Sequence, residues 1–306
     1  MDPTILLLGF GIALVGCALA TYYDVFNNRN VPNWLTYSLV AIGIVFSIYV
    51  FVSDTLLGPS PPQIFSMAFF GLAFSAFGPA VFLFLIGYYF YMNGQIGGAD
   101  VLVFVSIALL VPQQPFSLTK VDDTPLLRIP YVVSIFALSG VLFSAYLFLS
   151  MLPKVLRALV AKKVKMEVQK TLMSLFILVL YGFFLWNMSK MVPLAYLLLT
   201  GLVVVSAFFV YIFRDFILDE YVIKVVPFEK IEEEDVLATE RMDPELVKKY
   251  GLKKVLTVKE LEKLKTLPLK EFPIYKNMNC FMPHVLAAML ITIVTGDIFL
   301  FLMKLR

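Results

Sequence analysis

The sequence predicts an all-α polytopic membrane protein with a small α/β insert, and three observations carry that prediction. Of the residues, 60% are hydrophobic and only 15% are charged, whereas a soluble domain is about half apolar and roughly a quarter charged. Several apolar runs approach or exceed the roughly 20 residues that span a bilayer. One stretch, 214–279, breaks the pattern with mixed charge and short β-like runs.

Taken in order, the first span is expected over 4–23. Met1–Asp2–Pro3 offers neither a positive n-region nor a small-residue cleavage site, so this run reads as a retained helix and not as a cleaved signal peptide. Further spans are expected over 34–53, 66–91, 100–112, 130–151, 171–187, 191–213 and 280–303. The fourth is short, running from Asp100 to Pro112, which suits a tilted or partly spanning helix. A minimal turn at Ser189, Lys190 and Met191 separates the sixth from the seventh. The expectation is therefore about eight transmembrane helices, or six core helices plus extras. The chain divides into a bundle over 1–213, a soluble insert over 214–279 and a final transmembrane helix within 280–306. Inside the insert, Tyr221–Val226 has β character. Thr257 to Leu264 reads as a helix with Thr257 as N-cap and Glu260 at the capping-box position. The acidic run Glu232, Glu233, Glu234 and Asp235 reads as a solvated face, with a docking surface for a basic peptide as the alternative.

Alternating the spans sorts the loops by charge. One set holds Arg29, then Lys154, Arg157, Lys162, Lys163, Lys165 and Lys170, then the lysines from Lys224 to Lys276. The other holds Lys120, Arg128, Lys190, Lys304 and Arg306. The positive-inside rule places the first set in the cytoplasm and both termini outside.

The residue inventory limits the chemistry. Cys17, Cys280 and His284 are too few for a structural zinc site, which takes about four Cys/His ligands. Two cysteines within apolar runs exclude a disulfide scaffold and read as small packing residues. No metal, cofactor or nucleic-acid partner is expected.

Two aspartates stand out, Asp24 at the end of the first span and Asp100 at the start of the fourth. Ionisable groups in or at a membrane are costly and mark function by default. On the topology above both lie at the cytoplasmic ends of their helices, so they share one depth and can meet across the bundle. Two adjacent carboxylates share one proton. The ionised partner can take a proton from water while the neutral one hydrogen-bonds the peptide carbonyl and later protonates the leaving amine. Gly94, Gly97 and Gly98 leave room for an extended substrate beside the backbone. Read alone, Gly97–Gly98–Ala99–Asp100 fits an ordinary helix N-cap as well as it fits a catalytic turn.

Together the motifs carry a resemblance. Asp24–Val25–Phe26–Asn27–Asn28–Arg29–Asn30–Val31–Pro32–Asn33 resembles the first-aspartate motif of prepilin peptidases, in which a basic residue and an Ile/Val-Pro-Asn follow the aspartate. Gly97–Gly98–Ala99–Asp100 resembles the second motif, GxGD. Alanine at position 99 departs from the strict bacterial form and is similar to the archaeal branch, the preflagellin (prearchaellin) peptidases. Phe281–Met282–Pro283–His284 through Gly296–Asp297–Ile298 is similar to that branch more loosely. The resemblance implies a GxGD-type aspartic endopeptidase in the cell membrane. Its active site would lie at the cytoplasmic face and remove basic leader peptides from prepilin or archaellin precursors. Asp24 and Asp100 would be catalytic, supported by Arg29, Pro32, Asn33, Gly97, Gly98 and Ala99. The bacterial enzymes also N-methylate their product, often with a tetracysteine zinc loop. Those cysteines are missing here, so neither zinc nor methyl transfer is expected.

Other readings stand beside this one. Arg29 could pair with a catalytic carboxylate or a lipid phosphate, or serve as a positive-inside anchor. Pro32 and Asn33 set the start of the second helix. Asp297 reads as a structural hydrogen-bonding group, His284 as a satisfied interfacial residue, and Tyr22, Tyr23, Tyr89, Phe90 and Tyr91 as an interfacial aromatic belt. Asp215, Asp219 and Glu220 read as solvated charge that could also attract a basic leader. At the level of function, an ion-coupled transporter, an intramembrane GxGD protease with other substrates, and a non-catalytic scaffold are the alternatives.

Overall fold

The computed structural model describes residues 3–27, 29–56, 67–112, 130–164, 167–276 and 278–296. The chain is a polytopic α-helical membrane protein carrying a two-stranded sheet. Helices α1 (Pro3–Phe26), α2 (Asn33–Leu56), α3 (Met67–Met92), α4 (Gly98–Leu110), α5 (Tyr131–Val160), α6 (Val168–Met188) and α7 (Leu194–Ile217) precede the insert, and α10 (Met282–Thr295) follows it. Five of them, α1, α2, α5, α6 and α7, are long and apolar enough to cross a membrane. Each of the eight expected spans holds a helix among the described residues, with non-helical ends at 111–112, 130, 191–193 and 280–281. Asp297 and the end of the eighth lie outside the described residues.

Helix α4 organises the bundle. It packs against α1, α2, α3 and α5, and nine of its 13 residues are buried. At about 1.5 Å per residue it is near 20 Å long, short of a full crossing. A short helix is tolerated at membrane depth when protein covers it. Small residues let the helices close on it. A Cβ on Gly9 of α1 would stand 2.3 Å from the Leu110 carbonyl oxygen, and one on Gly43 of α2 would stand 2.9 Å from Leu109 Cβ. Ser47 Oγ donates to the Leu109 carbonyl at 2.7 Å, while Tyr131 and Thr292 share a buried 2.8 Å hydrogen bond between α5 and α10. Helix α7 packs on α5, and α6 packs on α7.

The insert has its own core, built on Leu237, Leu256, Leu264, Phe272 and Ile274. Strands β1 (Ile223–Pro227) and β2 (Glu271–Tyr275) pair antiparallel, Ile223 opposite Tyr275. The strand begins two residues later than expected because α7 runs on through a π turn, Leu218–Val222. Helix α8 (Pro244–Tyr250) is framed by an Asp243 cap on the Glu245 N–H, Pro244 in its first turn and Gly251 at φ 57°, the ordinary start and stop signals. Helix α9 (Val258–Lys265) starts after Thr257 as expected, but the Thr257 side chain makes no capping bond. Glu260 is buried and taken elsewhere, accepting from the Lys253 N–H at 3.3 Å and from Lys263 Nζ at 2.8 Å. The capping box is therefore not formed.

Ion pairs tie the insert to the helix ends. Arg241 bonds Asp215 at 3.0 Å and Asp219 at 2.7 Å, and Lys170 of α6 reaches Asp215 at 3.6 Å. Asp215, Asp219 and Glu220 are exposed, as expected of solvated charge, and Asp215 and Asp219 are in addition paired within the molecule. Glu232, Glu233 and Glu234 are exposed. Asp235, the fourth of that run, is turned inward and pairs with Lys276 at 3.1 Å.

Candidate active site

Helices α1 and α4 run antiparallel: Gly9 of α1 faces the end of α4, while Asp24, near the end of α1, acts electrostatically on Asp100, near the start of α4. The two expected catalytic residues thereby lie at one end of the bundle, within electrostatic reach of each other, at the end from which the insert emerges.

Asp24 is 7% exposed and is held from an element at the far end of the sequence. The backbone N–H of Met282, the first residue of α10, donates to Asp24 Oδ2 at 3.1 Å. Cys280 Sγ donates to the Asp24 carbonyl at 3.3 Å. A helix N-terminus carries unpaired N–H groups and the positive end of the helix dipole, so it complements a carboxylate. The Arg29 guanidinium, and the His284 ring when it is protonated, act electrostatically on the same group.

Asp100 is half-buried and is not the N-cap of α4. Gly97 takes that position in an extended conformation, which puts Asp100 on the third helical residue. From there its carboxylate reaches back to the Gly97 backbone, as the third residue of a capping box does. The close approach explains the glycines: a Cβ on Gly97 would stand 3.1 Å from Asp100 Oδ2, and one on Gly98 would stand 3.2 Å from the Tyr91 ring. Ala99 packs against the main core. Gly94, in the turn between α3 and α4, has a positive φ of 66°, where any other residue is strained.

The remaining predicted residues frame the first aspartate. Pro32 precedes α2 and its carbonyl accepts from the Leu35 N–H at 3.0 Å. Asn33 opens the helix, its carbonyl taking the Thr36 hydroxyl at 3.1 Å. Among the described residues Arg29 bonds no carboxylate; its Nη1 donates to the Lys276 carbonyl at 2.9 Å.

Sequence reasoning missed three participants, all from the start of α10. Cys280 was read as packing, and Met282 acts through a backbone N–H that no side-chain motif reveals. His284 lies within electrostatic reach of Asp24, and its ring is placed beside the Cys280 and Phe281 backbone, although Nδ1 makes no hydrogen bond of ordinary geometry among the described residues. Its ring sits against Phe143 and Tyr146, with centroids 5.3 and 5.1 Å away. Among the described residues no group of His, Cys, Asp and Glu could hold a metal ion.

Residues 11–152 match the model of the type IV leader peptidase family. That is the family the two aspartate motifs resemble, and the matched segment holds both Asp24 and Asp100. The match supports a membrane peptidase of the leader peptidase kind. It stops short of α6, α7, the insert and α10, so the helix that holds the Asp24 carboxylate lies beyond the matched segment. No curated protein and no solved structure matches the chain.

Proposed function

We propose that the protein is an aspartic endopeptidase of the cell membrane that removes basic leader peptides from prepilin or archaellin precursors at the cytoplasmic face. The observation that carries the proposal is that Asp24 and Asp100 lie at one end of the bundle within electrostatic reach of each other, inside the segment that matches the leader peptidases. The concentration of lysine and arginine in the loops at that end supports a cytoplasmic location.

In this reading the pair shares one proton. The α10 N-terminus complements negative charge on Asp24, so Asp24 serves as the base that takes a proton from water. Asp100 carries the shared proton, donates it as a hydrogen bond to the scissile carbonyl, and then protonates the leaving amine. The hydroxyl adds to the carbonyl carbon, the C–N bond breaks, and the leader leaves with a new carboxylate. The apolar helix of the substrate stays in the bilayer, which keeps the cleavage junction at the depth of the two aspartates.

The test is cleavage of a prepilin-like precursor by purified protein in detergent, with products read by mass. The expected result is a single cut at the leader junction, lost in Asp24→Asn and in Asp100→Asn while both variants remain folded. Cleavage retained in either variant would remove that aspartate from the mechanism. Precursors left intact by folded wild-type protein would overturn the peptidase reading.

A further inference from the structure

Arg29 and the insert meet at a point the proposed chemistry does not use. Arg29 lies in the turn that follows Asp24 and has a φ of 67°, a left-handed conformation that non-glycine residues seldom adopt. The strained turn aims its guanidinium at the insert, where Nη1 donates to the Lys276 carbonyl at 2.9 Å. Lys276 directly follows β2 and is fixed by three further bonds to two residues. Its N–H donates to the Val222 carbonyl at 3.2 Å, and its Nζ sits 3.1 Å from Asp235 Oδ2 and 3.2 Å from Oδ1. The chain then proceeds to Cys280 and Met282, both of which bond Asp24. The link between insert and α10 is therefore anchored twice on the end of α1, at Arg29 and at Asp24.

The insert also backs the approach to Asp100. A Cβ on Gly94, in the turn before α4, would stand 2.7 Å from Val236 Cγ1 and 3.5 Å from Lys254 Cβ, both in the insert. Val236 is held in turn by a bridge to Val255. Both segments that deliver an aspartate thus rest on the insert.

We infer that the insert is a positioning scaffold for the aspartate pair, and that Arg29 is a positioning residue. Arg29 fastens Lys276 and so sets the Met282 N–H on the Asp24 carboxylate. The inference rests on the peptidase reading for its kinetic readout only. A guanidinium committed to a main-chain carbonyl of the same chain serves registration, whereas an anchor to lipid phosphate or a grip on the leader would leave Lys276 unaffected.

The experiment compares wild type, Arg29→Ala, Arg29→Lys, Asp235→Asn and the Arg29→Ala/Asp235→Asn double variant in detergent. Two quantities are read: amide exchange of the 278–284 peptide, and kcat and KM for a synthetic precursor with a basic leader and an apolar helix. Arg29→Ala is expected to speed exchange at Met282 and lower kcat about 10- to 100-fold with KM little changed, as misplacement near 1 Å does. Arg29→Lys should recover part of both. Asp235→Asn, which loosens the same link from the insert side, should act in the same direction, and the double variant should be no worse than Arg29→Ala, because residues acting through one link are non-additive. Unchanged exchange in Arg29→Ala would overturn the inference, as would a rise in KM at constant kcat or strict additivity. If Arg29→Ala does not fold, Asp235→Asn reads the same link. If wild type cleaves no precursor, the peptidase reading fails while the exchange data still decide the link.

Discussion

Gly9 lies far along α1 from Asp24, and replacing it tests how tightly α1 must sit on α4. A Cβ at position 9 would stand 2.3 Å from the Leu110 carbonyl oxygen and 2.7 Å from Phe46 Cζ, whereas ordinary contacts begin near 3.4 Å. The Leu110 oxygen is backbone and cannot swing aside, so Gly9→Ala requires α1 and α4 to separate by about 1 Å. Overpacking of this size costs about 1–3 kcal/mol. The same separation, carried to the other end of the pair, would move Asp24 relative to Asp100, and a 1 Å misplacement at a reacting centre can cost about 100-fold in rate. Two neighbouring glycines supply controls. Gly11→Ala meets nothing within 4 Å, and Gly16→Ala meets the flexible methyl end of Leu39 at 2.4 Å. Thermal unfolding in detergent and cleavage rates of the three variants should therefore rank Gly9→Ala well below Gly16→Ala, with Gly11→Ala equal to wild type. If Gly9→Ala melts and cleaves like Gly11→Ala, the close α1–α4 seam does not govern the aspartate pair.

Two further outcomes are expected. In the insert, burial opposes ionisation of Glu240, but the hydrogen bond from the Tyr275 hydroxyl and the charge of Lys254 outweigh it and hold the carboxyl below its usual range. A carboxylate depressed in the folded state adds stability above its unfolded value and loses it as pH falls through the folded one. Tyr275→Phe should therefore destabilise the insert by about 1 kcal/mol near neutrality, with the gap from wild type closing on acidification; a gap that is constant down to the acid limit would refute the coupling. Phe272→Ala, which empties the centre of the insert core, should cost about 3–5 kcal/mol. By the positioning role of the insert it should also lower cleavage without touching either aspartate, and wild-type turnover in a protein whose insert has melted would contradict that role.

The membrane helices were legible because hydropathy records the solvent directly: a span is apolar whatever its neighbours are. Asp24 and Asp100 were legible for the same reason, since charge at a membrane helix end is conspicuous. Their detailed placement was not. Whether Asp100 caps α4 depended on which residue left the helical conformation first, and Gly97 did. The Thr257–Glu260 box failed because burial against Lys253 and Lys263 offered Glu260 stronger partners than its own helix start. Asp215 and Asp219 are solvated as read, but their pairing was hidden, because Arg241, more than 20 residues away, leaves no local sign of its reach. The donors on Asp24 were the least visible of all, for a main-chain N–H has no residue signature and Met282 is 258 positions distant.

That separation orders the life of the site in time. A ribosome delivers Asp24 with α1 and supplies its hydrogen-bond donor only with α10, after the whole insert has been made. Until then the carboxylate lacks the Met282 N–H, and the pair of aspartates exists without the element that orients one of them. A nascent or truncated chain that ends within the insert should therefore already hold both acids and still be silent. Synthesis and insertion of α10 would thus be the step that equips Asp24 with its main-chain donor.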